Sequence, residues 1–287
     1  MPAPALFTSS YAIILPALIL CVVFGLCLGS FATALIYRYR NTLPVFGTPF
    51  FSGKKRKDLK PETNRSFCPS CHHTLGIKDL FPVLSFCLSG GKCRYCNQAI
   101  PAFYPVTEIS SAILCILILV TYGLSLSGVA AMFAVPFLLA LVVIDFQSKL
   151  MPDKFTIPFA ILGFLFSYFQ YSIYETGFVG RMPFFLIPVI LGIIVYGGFA
   201  IFIRFMGRIL FRKEALGMGD VKFIASCGIW ISVTELPLFL ILSGVFGIIL
   251  GGYWLKIRGE REFPFGPALI AGFLTCLIFN PVLLTSY

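Results

Sequence analysis

Twelve Asp and Glu residues serve a chain of 287. Asp58, Glu62, Asp79, Asp153, Glu175, Glu214, Glu235, Glu260 and Glu262 lie in or beside polar stretches, whereas Glu108, Asp145 and Asp220 touch long apolar runs. A carboxylate within hydrocarbon is costly unless paired, hydrated or protonated, so each of these three is a functional candidate. Asp145 closes an uncharged run of 36 residues, and Asp220 directly follows Gly217-Met218-Gly219. Two carboxylates brought together do not both ionise readily and hold one proton between them. The ionised member can activate water as a general base while the protonated one polarises a carbonyl, which is equipment for hydrolysing a peptide bond without metal or covalent nucleophile. Gly217 and Gly219 would let a substrate backbone approach closely. The competing reading gives Asp145 and Asp220 to interfacial capping or to ion pairs with Lys149 and Lys222. Asp153, after Pro152, reads as a helix stop and cap. Glu108, near the membrane surface, reads as hydrated.

A second constellation is sulfur. Cys68-Pro-Ser-Cys71 and Cys93-Arg-Tyr-Cys96 are two C-x-x-C knuckles 21 residues apart, close to zinc-ribbon spacing. Four thiolates complete a tetrahedral shell with no open position, so the site they would form with Zn2+ is structural. A pair of disulfides is the rival, and a reducing compartment disfavours it. His72 and His73 read as neighbours of a complete four-cysteine set. Cys21, Cys27, Cys87, Cys115, Cys227 and Cys276 read mostly as small buried hydrophobes. The stretch carrying Lys54, Lys55, Arg56, Lys57, Lys60 and Arg65 reads as a solvated basic loop.

What must position these groups is a membrane. The chain is 58% hydrophobic and 12% charged, with a net charge of +10, which excludes a water-soluble globule and a disordered chain. About 20 apolar residues cross the hydrocarbon as helix. The runs Tyr11 to Tyr37, Ile109 to Ile144 (a hairpin turning between Gly123 and Gly128), Phe155 to Tyr174, Met182 to Ile203, Gly217 to Thr234, Leu236 to Leu255 and Phe263 to Tyr287 predict about eight transmembrane helices. The expected architecture is an all-α polytopic membrane protein with a small zinc-ribbon-like cytoplasmic loop domain between helices 1 and 2. An outside amino terminus places 21 of the 22 Lys and Arg inside, leaving Arg181 outside. The first run reads as an uncleaved anchor. The division expected is 1–37 for the first transmembrane helix, 38–104 for the basic loop with its four-cysteine zinc site, and 105–287 for a seven-helix catalytic domain. With that topology Asp145 and Asp220 come to similar depth on the cytoplasmic side and can face each other.

Taken in order, Gly29-Ser-Phe-Ala-Thr-Ala-Leu-Ile-Tyr-Arg38, Arg65-Ser-Phe-Cys-Pro-Ser-Cys71, Pro82-Val-Leu-Ser85, Gly91-Lys-Cys-Arg-Tyr-Cys96, Tyr104-Pro-Val-Thr-Glu108, Asp145 to Asp153 and Gly217-Met-Gly-Asp220 resemble the type IV prepilin peptidase family. These are GxGD-type intramembrane aspartic peptidases, also called leader peptidase/N-methyltransferases. The resemblance covers most of the chain and departs at Leu75 to Pro82 and at Pro101-Ala-Phe103. It implies that Asp145 and Asp220 are the catalytic pair, with Asp153 outside it. It further implies cleavage of the basic leader of type IV prepilins or pseudopilins at the cytoplasmic face of a bacterial inner membrane, in type IV pilus biogenesis or type II secretion. Methylation of the new amino terminus with S-adenosylmethionine follows. Gly91, beside the second knuckle, is a candidate for backbone approach by the methyl donor. No nucleic acid is implied, and the oligomeric state is not legible. A proton- or cation-coupled transporter with a regulatory zinc loop, and a noncatalytic anchor, remain the alternatives from other classes.

Overall fold

The computed structural model describes residues 5–41, 66–174, 182–211, 216–260 and 262–279. The basic stretch from Lys54 to Arg65, and Arg181, lie outside the described residues. Nine α-helices occur among those described: α1 Ala5–Arg40, α2 Leu84–Leu88, α3 Phe103–Tyr122, α4 Leu126–Ser148, α5 Asp153–Tyr174, α6 Met182–Phe211, α7 Met218–Trp230, α8 Leu236–Arg258 and α9 Gly266–Phe279. Two isolated antiparallel bridges are the sole extended pairing among them.

Among the described residues, five stretches are long and apolar enough to cross a membrane: Leu15–Arg40, Phe103–Tyr122, Leu126–Ser148, Phe185–Leu210 and Val233–Arg258. The run from Gly217 to Thr234, expected to cross by itself, forms a helix of 13 residues, about 20 Å at about 1.5 Å per residue. It stops because Ile231 is extended and a 3-10 turn follows at Val233–Glu235. Glu235 is buried in that turn. The hairpin of α3 and α4 turns where the glycines predict, with Gly123 at φ +62° and the Ser125 hydroxyl accepting the Gly128 N–H at 3.0 Å.

The chain divides into two compact units, residues 1–116 and 117–287. In the first, α1 runs against α3 at backbone distance. A β-carbon on Gly25 would sit 2.7 Å from the Ala112 Cα, and one on Gly29 2.5 Å from the Glu108 Cα. The four-residue spacing on both helices is one turn, the repeat of a ridge-in-groove contact.

The second unit pairs α4 with α5, α6 with α7 and α8 with α9, and α7 also packs on α5. Aromatic rings fill its centre: Phe159 stacks on Phe223 and Trp230, and Phe273 meets all three edge-on. The Trp230 indole donates to the Phe159 carbonyl at 3.1 Å, so its one polar atom is satisfied inside the core. The helices α6 and α7 cross at Gly192 and Gly228, where a β-carbon on either would run into the other's carbonyl group. Gly192→Leu should therefore force the helices apart and destabilise the unit by roughly 1–3 kcal/mol. A lowered unfolding midpoint of the detergent-solubilised protein is the expected reading, and an unchanged midpoint refutes this packing.

Candidate active site and metal centre

Asp145 lies near the end of α4 and is 3% exposed. Its Oδ2 accepts the N–H of Gly266, the first residue of α9, at 2.9 Å. Asp220 is the third residue of α7, and its Oδ2 accepts the Gly217 N–H at 3.2 Å across that helix's first turn. Each carboxylate thus rests on a helix amino terminus, where unsatisfied N–H groups and the helix dipole favour negative charge. The two acids are 75 positions apart in sequence, and both helix starts that hold them pack around one residue. Met151 links their surroundings. Its sulfur lies against Gly266, and its backbone lies against Gly219.

The cations that could have neutralised the pair are engaged elsewhere. Lys222 holds Asp153 through both carboxylate oxygens, at 2.9 and 2.7 Å. Lys149 adopts a left-handed conformation at φ 53°, which ends α4. Its Nζ donates to Glu260 Oε2 at 3.2 Å and to the Glu262 carbonyl at 2.9 Å. The pairing of Asp145 with Lys149 and of Asp220 with Lys222 is therefore not what the structure shows, although the capping role holds for one oxygen of Asp220. Lys149 instead ties down the linker that delivers the Gly266 N–H to Asp145, and this hydrogen bond and ion pair hold the exposed Glu260 carboxyl below the usual carboxylate range. Asp153 begins α5.

Of the glycines expected at the site, Gly217 gives its N–H to Asp220, and Gly219 is packed on Met151, where an added β-carbon would lie 2.8 Å from the Met151 carbonyl oxygen. Gly266 was missed by sequence reasoning. A β-carbon there would stand 2.8 Å from Asp145 Oδ2 and 3.2 Å from the Met151 sulfur. Its only advance signal is Gly266-Pro267, a proline just inside a helix start.

In the first unit Cys68, Cys71, Cys93 and Cys96 present their sulfurs within 4.8 Å of one another. The two knuckles are built alike. Cys68 accepts the His72 N–H at 2.9 Å, Cys93 accepts the Asn97 N–H at 2.9 Å, and His72 and Asn97 both turn at φ 57°. Each knuckle is closed by a bridge, Phe67 with Thr74 and Lys92 with Ala99. Cys68 and Cys96 are 3.9 Å apart, and a tetrahedron with about 2.3 Å metal–sulfur bonds has edges of about 3.8 Å. None of the cysteines is joined in a disulfide. The four residues fit a zinc ion.

The sulfurs also share charge. Burial opposes ionisation of Cys68, but the backbone N–H groups of Cys71 and Ser70 and the thiols of Cys93 and Cys71 outweigh it, lowering this thiol to about 7. The Gln98 N–H favours a thiolate at Cys96, yet burial and the three neighbouring sulfurs push it up to about 12. A first negative charge comes easily to the cluster, and a bound cation is what makes the rest acceptable. Asp79 fastens the segment between the knuckles, accepting the Tyr95 hydroxyl at 3.0 Å and the Gly76 N–H at 3.1 Å. The side chain of His73 stacks on Tyr95 at 3.6 Å and that of His72 lies by Phe67, so neither histidine joins the sulfur cluster.

Gly91 turns at φ +70° with the Phe86 ring 3.1 Å from where a β-carbon would be. Glu108, expected to be hydrated, is 8% exposed. Its Oε2 accepts the Val83 N–H at 2.7 Å, and the Ser30 hydroxyl is within hydrogen-bonding reach.

Comparison with known proteins finds matches over both units. Residues 23–122 match the model of the bacterial Peptidase A24 N-terminal domain, and residues 132–252 match the type IV leader peptidase family. A type 4 prepilin-like proteins leader peptide-processing enzyme of Escherichia coli is 32% identical over 260 residues, covering 88% of this chain and 91% of that protein. Prepilin leader peptidase/N-methyltransferases of Pseudomonas putida and Neisseria gonorrhoeae are 31% and 28% identical, over 90% and 87% of this chain and 89% and 86% of theirs. No solved structure matches the chain.

Proposed function

This chain belongs to the type IV leader peptidase family, and we propose that Asp145 and Asp220 are the pair with which it cuts the basic leader from type IV prepilins or pseudopilins. The same chain then methylates the exposed amino terminus. One arrangement carries the proteolytic reading: two carboxylates remote in sequence are each held by the N–H of a different helix start, and Met151 packs against the glycines beside both. The transporter alternative draws no support from the family or the relatives.

The mechanism follows from that arrangement. Each Oδ2 is oriented by a backbone N–H, and neither Oδ1 accepts a hydrogen bond from a described residue, which leaves one oxygen per carboxylate for water and substrate. The pair holds a single proton. The ionised carboxylate takes a proton from water as it attacks the scissile carbonyl carbon, and the protonated one hydrogen-bonds the carbonyl oxygen and later gives its proton to the leaving amine. Helix starts beneath both groups stabilise the anionic member whichever oxygen carries the charge.

We place the site at the cytoplasmic face of a bacterial inner membrane, with the amino terminus periplasmic, because that topology keeps Lys and Arg inside. A basic leader that cannot cross would meet the aspartates there. Residues 1–37 serve as anchor, 38–104 as the basic loop with its metal module, and 105–287 as the peptidase domain. Zn2+ on Cys68, Cys71, Cys93 and Cys96 would fix the fold of the loop and take no part in hydrolysis. S-adenosylmethionine, when bound, would supply an electrophilic methyl carbon; the N-terminal amine would attack that carbon as the C–S bond breaks, the thioether leaving with the electron pair and the methylated amine losing a proton to solvent.

Gly266 offers a sharp test of the geometry. Gly266→Ala puts a methyl group into the Asp145 carboxylate, and displacement of a catalytic group by about 1 Å can cost about 10²-fold. Initial cleavage rates should fall by about that factor while the zinc content stays constant; an undiminished rate would show that the Gly266 contact does not set the position of Asp145. The overall reading is tested by incubating the purified chain with a prepilin-type peptide and weighing the products. With S-adenosylmethionine added, a mature fragment carrying one added methyl group is expected, and an intact peptide refutes the reading.

A further inference from the structure

The first unit contains a cavity of about 400 Å3 whose walls include Ser30, Phe31, Leu35 and Arg38 from α1 and Leu80 and Pro82 from the segment between the knuckles. That volume lies in the range of small-ligand sites, about 300–1,000 Å3. Its lining is uneven in a way that simple packing does not require. Phe31 and Leu80 give the cavity its apolar walls, and Leu80, outside the membrane-spanning stretch, is 46% exposed. Arg38 is partly buried and makes no ion pair with a described residue. Behind Ser30 stands the buried carboxylate of Glu108. Ser30 and Arg38 are eight residues apart, about 12 Å along the helix axis, and the Arg38 side chain leaves the backbone leaning toward the amino end, which shortens the gap.

Glu108 is held with care. Its Oε2 takes the N–H of Val83 at 2.7 Å, and Val83 itself sits at φ 58°, a conformation that a β-branched residue rarely adopts. Strain of this kind persists where the surroundings over-determine it, and it clusters at functional sites. A buried carboxylate behind Ser30 at one end, a guanidinium without a carboxylate partner among the described residues at the other and apolar walls between them describe a ligand with three matching parts. That ligand is cationic at one point, carries a carboxylate and has a flat apolar ring.

We propose that this cavity binds the methyl donor, with the sulfonium of S-adenosylmethionine at the Ser30 and Glu108 end, its carboxylate on Arg38 and its adenine against Phe31, Leu35, Leu80 and Pro82. The inference rests on the methyl-transfer reading and adds the site. It also gives the cysteine module a role in binding, because Leu80 and Pro82 lie between the two knuckles and hold their positions through them. Gly91 does not line this cavity.

The chemistry separates the two ends. S-adenosylhomocysteine keeps the carboxylate and adenine and lacks the sulfonium charge. Equilibrium dialysis of the purified full chain against each radiolabelled compound should show Arg38→Met weakening both by about tenfold, the loss of one charge-assisted contact. Glu108→Gln retains an acceptor for the Val83 N–H and should weaken S-adenosylmethionine about tenfold more than the thioether. Ala34→Phe, which fills the cavity, should abolish binding of both, and zinc content and unfolding midpoint report whether each variant is folded. Folded variants that bind both compounds as the wild type does would overturn the site, as would a Glu108→Gln variant that weakens them equally. A wild type that neither binds the donor nor methylates the cleaved peptide would instead overturn the methyl-transfer reading.

Discussion

Asp145→Asn and Asp220→Asn should each lower leader cleavage by about 10³-fold or more, at the strong end of what loss of a general acid or base costs. The substitutions are nearly isosteric. An Asn oxygen can still accept the Gly266 N–H in one case and the Gly217 N–H in the other, so the helix starts stay satisfied and the fold is retained. What is lost is the capacity to exchange a proton. The comparison that makes the result specific is Asp153→Asn. Asp153 is half exposed and paired with Lys222 at 2.7 Å, and an exposed ion pair contributes at most about 1 kcal/mol. Cleavage by that variant should stay within about fivefold of wild type, the ceiling set by so weak a pair. Rates from single-turnover assays on one prepilin-type peptide decide the matter. Wild-type turnover in either Asn variant of the pair would remove the dyad, and an equal loss in all three would point to general acidity of the surface.

The two candidate acids stood out in the sequence because the apolar background is so uniform. In a chain with 12 acids, a carboxylate at the end of a long uncharged run stands out, and topology alone brings Asp145 and Asp220 to one side. Their partners were not legible. Lys149 and Lys222 lie four and two residues from the acids, and sequence proximity suggests local pairing. The left-handed turn at Lys149 swings its side chain to Glu260, and the start of α5 presents Asp153 to Lys222. Gly266 acts through a backbone N–H, which no residue type encodes, and it lies 121 positions from the carboxylate that it orients.

The four-cysteine cluster was readable from the sequence, since C-x-x-C spacing is a property of one tight turn. The number of crossings was less so. A run of apolar residues such as Gly217 to Thr234 has the composition of a span whether or not its helix continues, and the break after Trp230 depends on a turn at Ser232 to Glu235. Glu108 shows the same limit. Its burial requires the approach of α1 at Gly29 and the amide of Val83, contacts made by residues far off in sequence.

Removing one ligand from each knuckle, as Cys71→Ser with Cys96→Ser, should have the second large effect, and it should be unequal between the two activities. Each knuckle closes on itself through two backbone hydrogen bonds and a single bridge, too little to hold a module with so few buried residues. A structural zinc ion supplies about 10–16 kcal/mol of apparent binding energy to such a fold. Zinc measured by atomic emission should fall from one ion per chain to less than about a tenth, because two remaining thiolates cannot complete the shell. Methyl transfer to a cleaved peptide should be lost with it, since Leu80 and Pro82 are carried between the knuckles. Asp145, Asp220 and Gly266 all belong to the other compact unit, so leader cleavage should persist at a tenth or more of the wild-type rate, roughly the loss of one tenfold step. Acid should act in the same direction on the wild type. Zinc binds thiolates, so protons compete with the metal for all four sulfurs and zinc content should fall as the solution is made progressively more acid. Retention of stoichiometric zinc by the double variant, or methylation without zinc, would show that the four sulfurs do not form one metal site. Loss of both activities together would show that the module supports the peptidase as well.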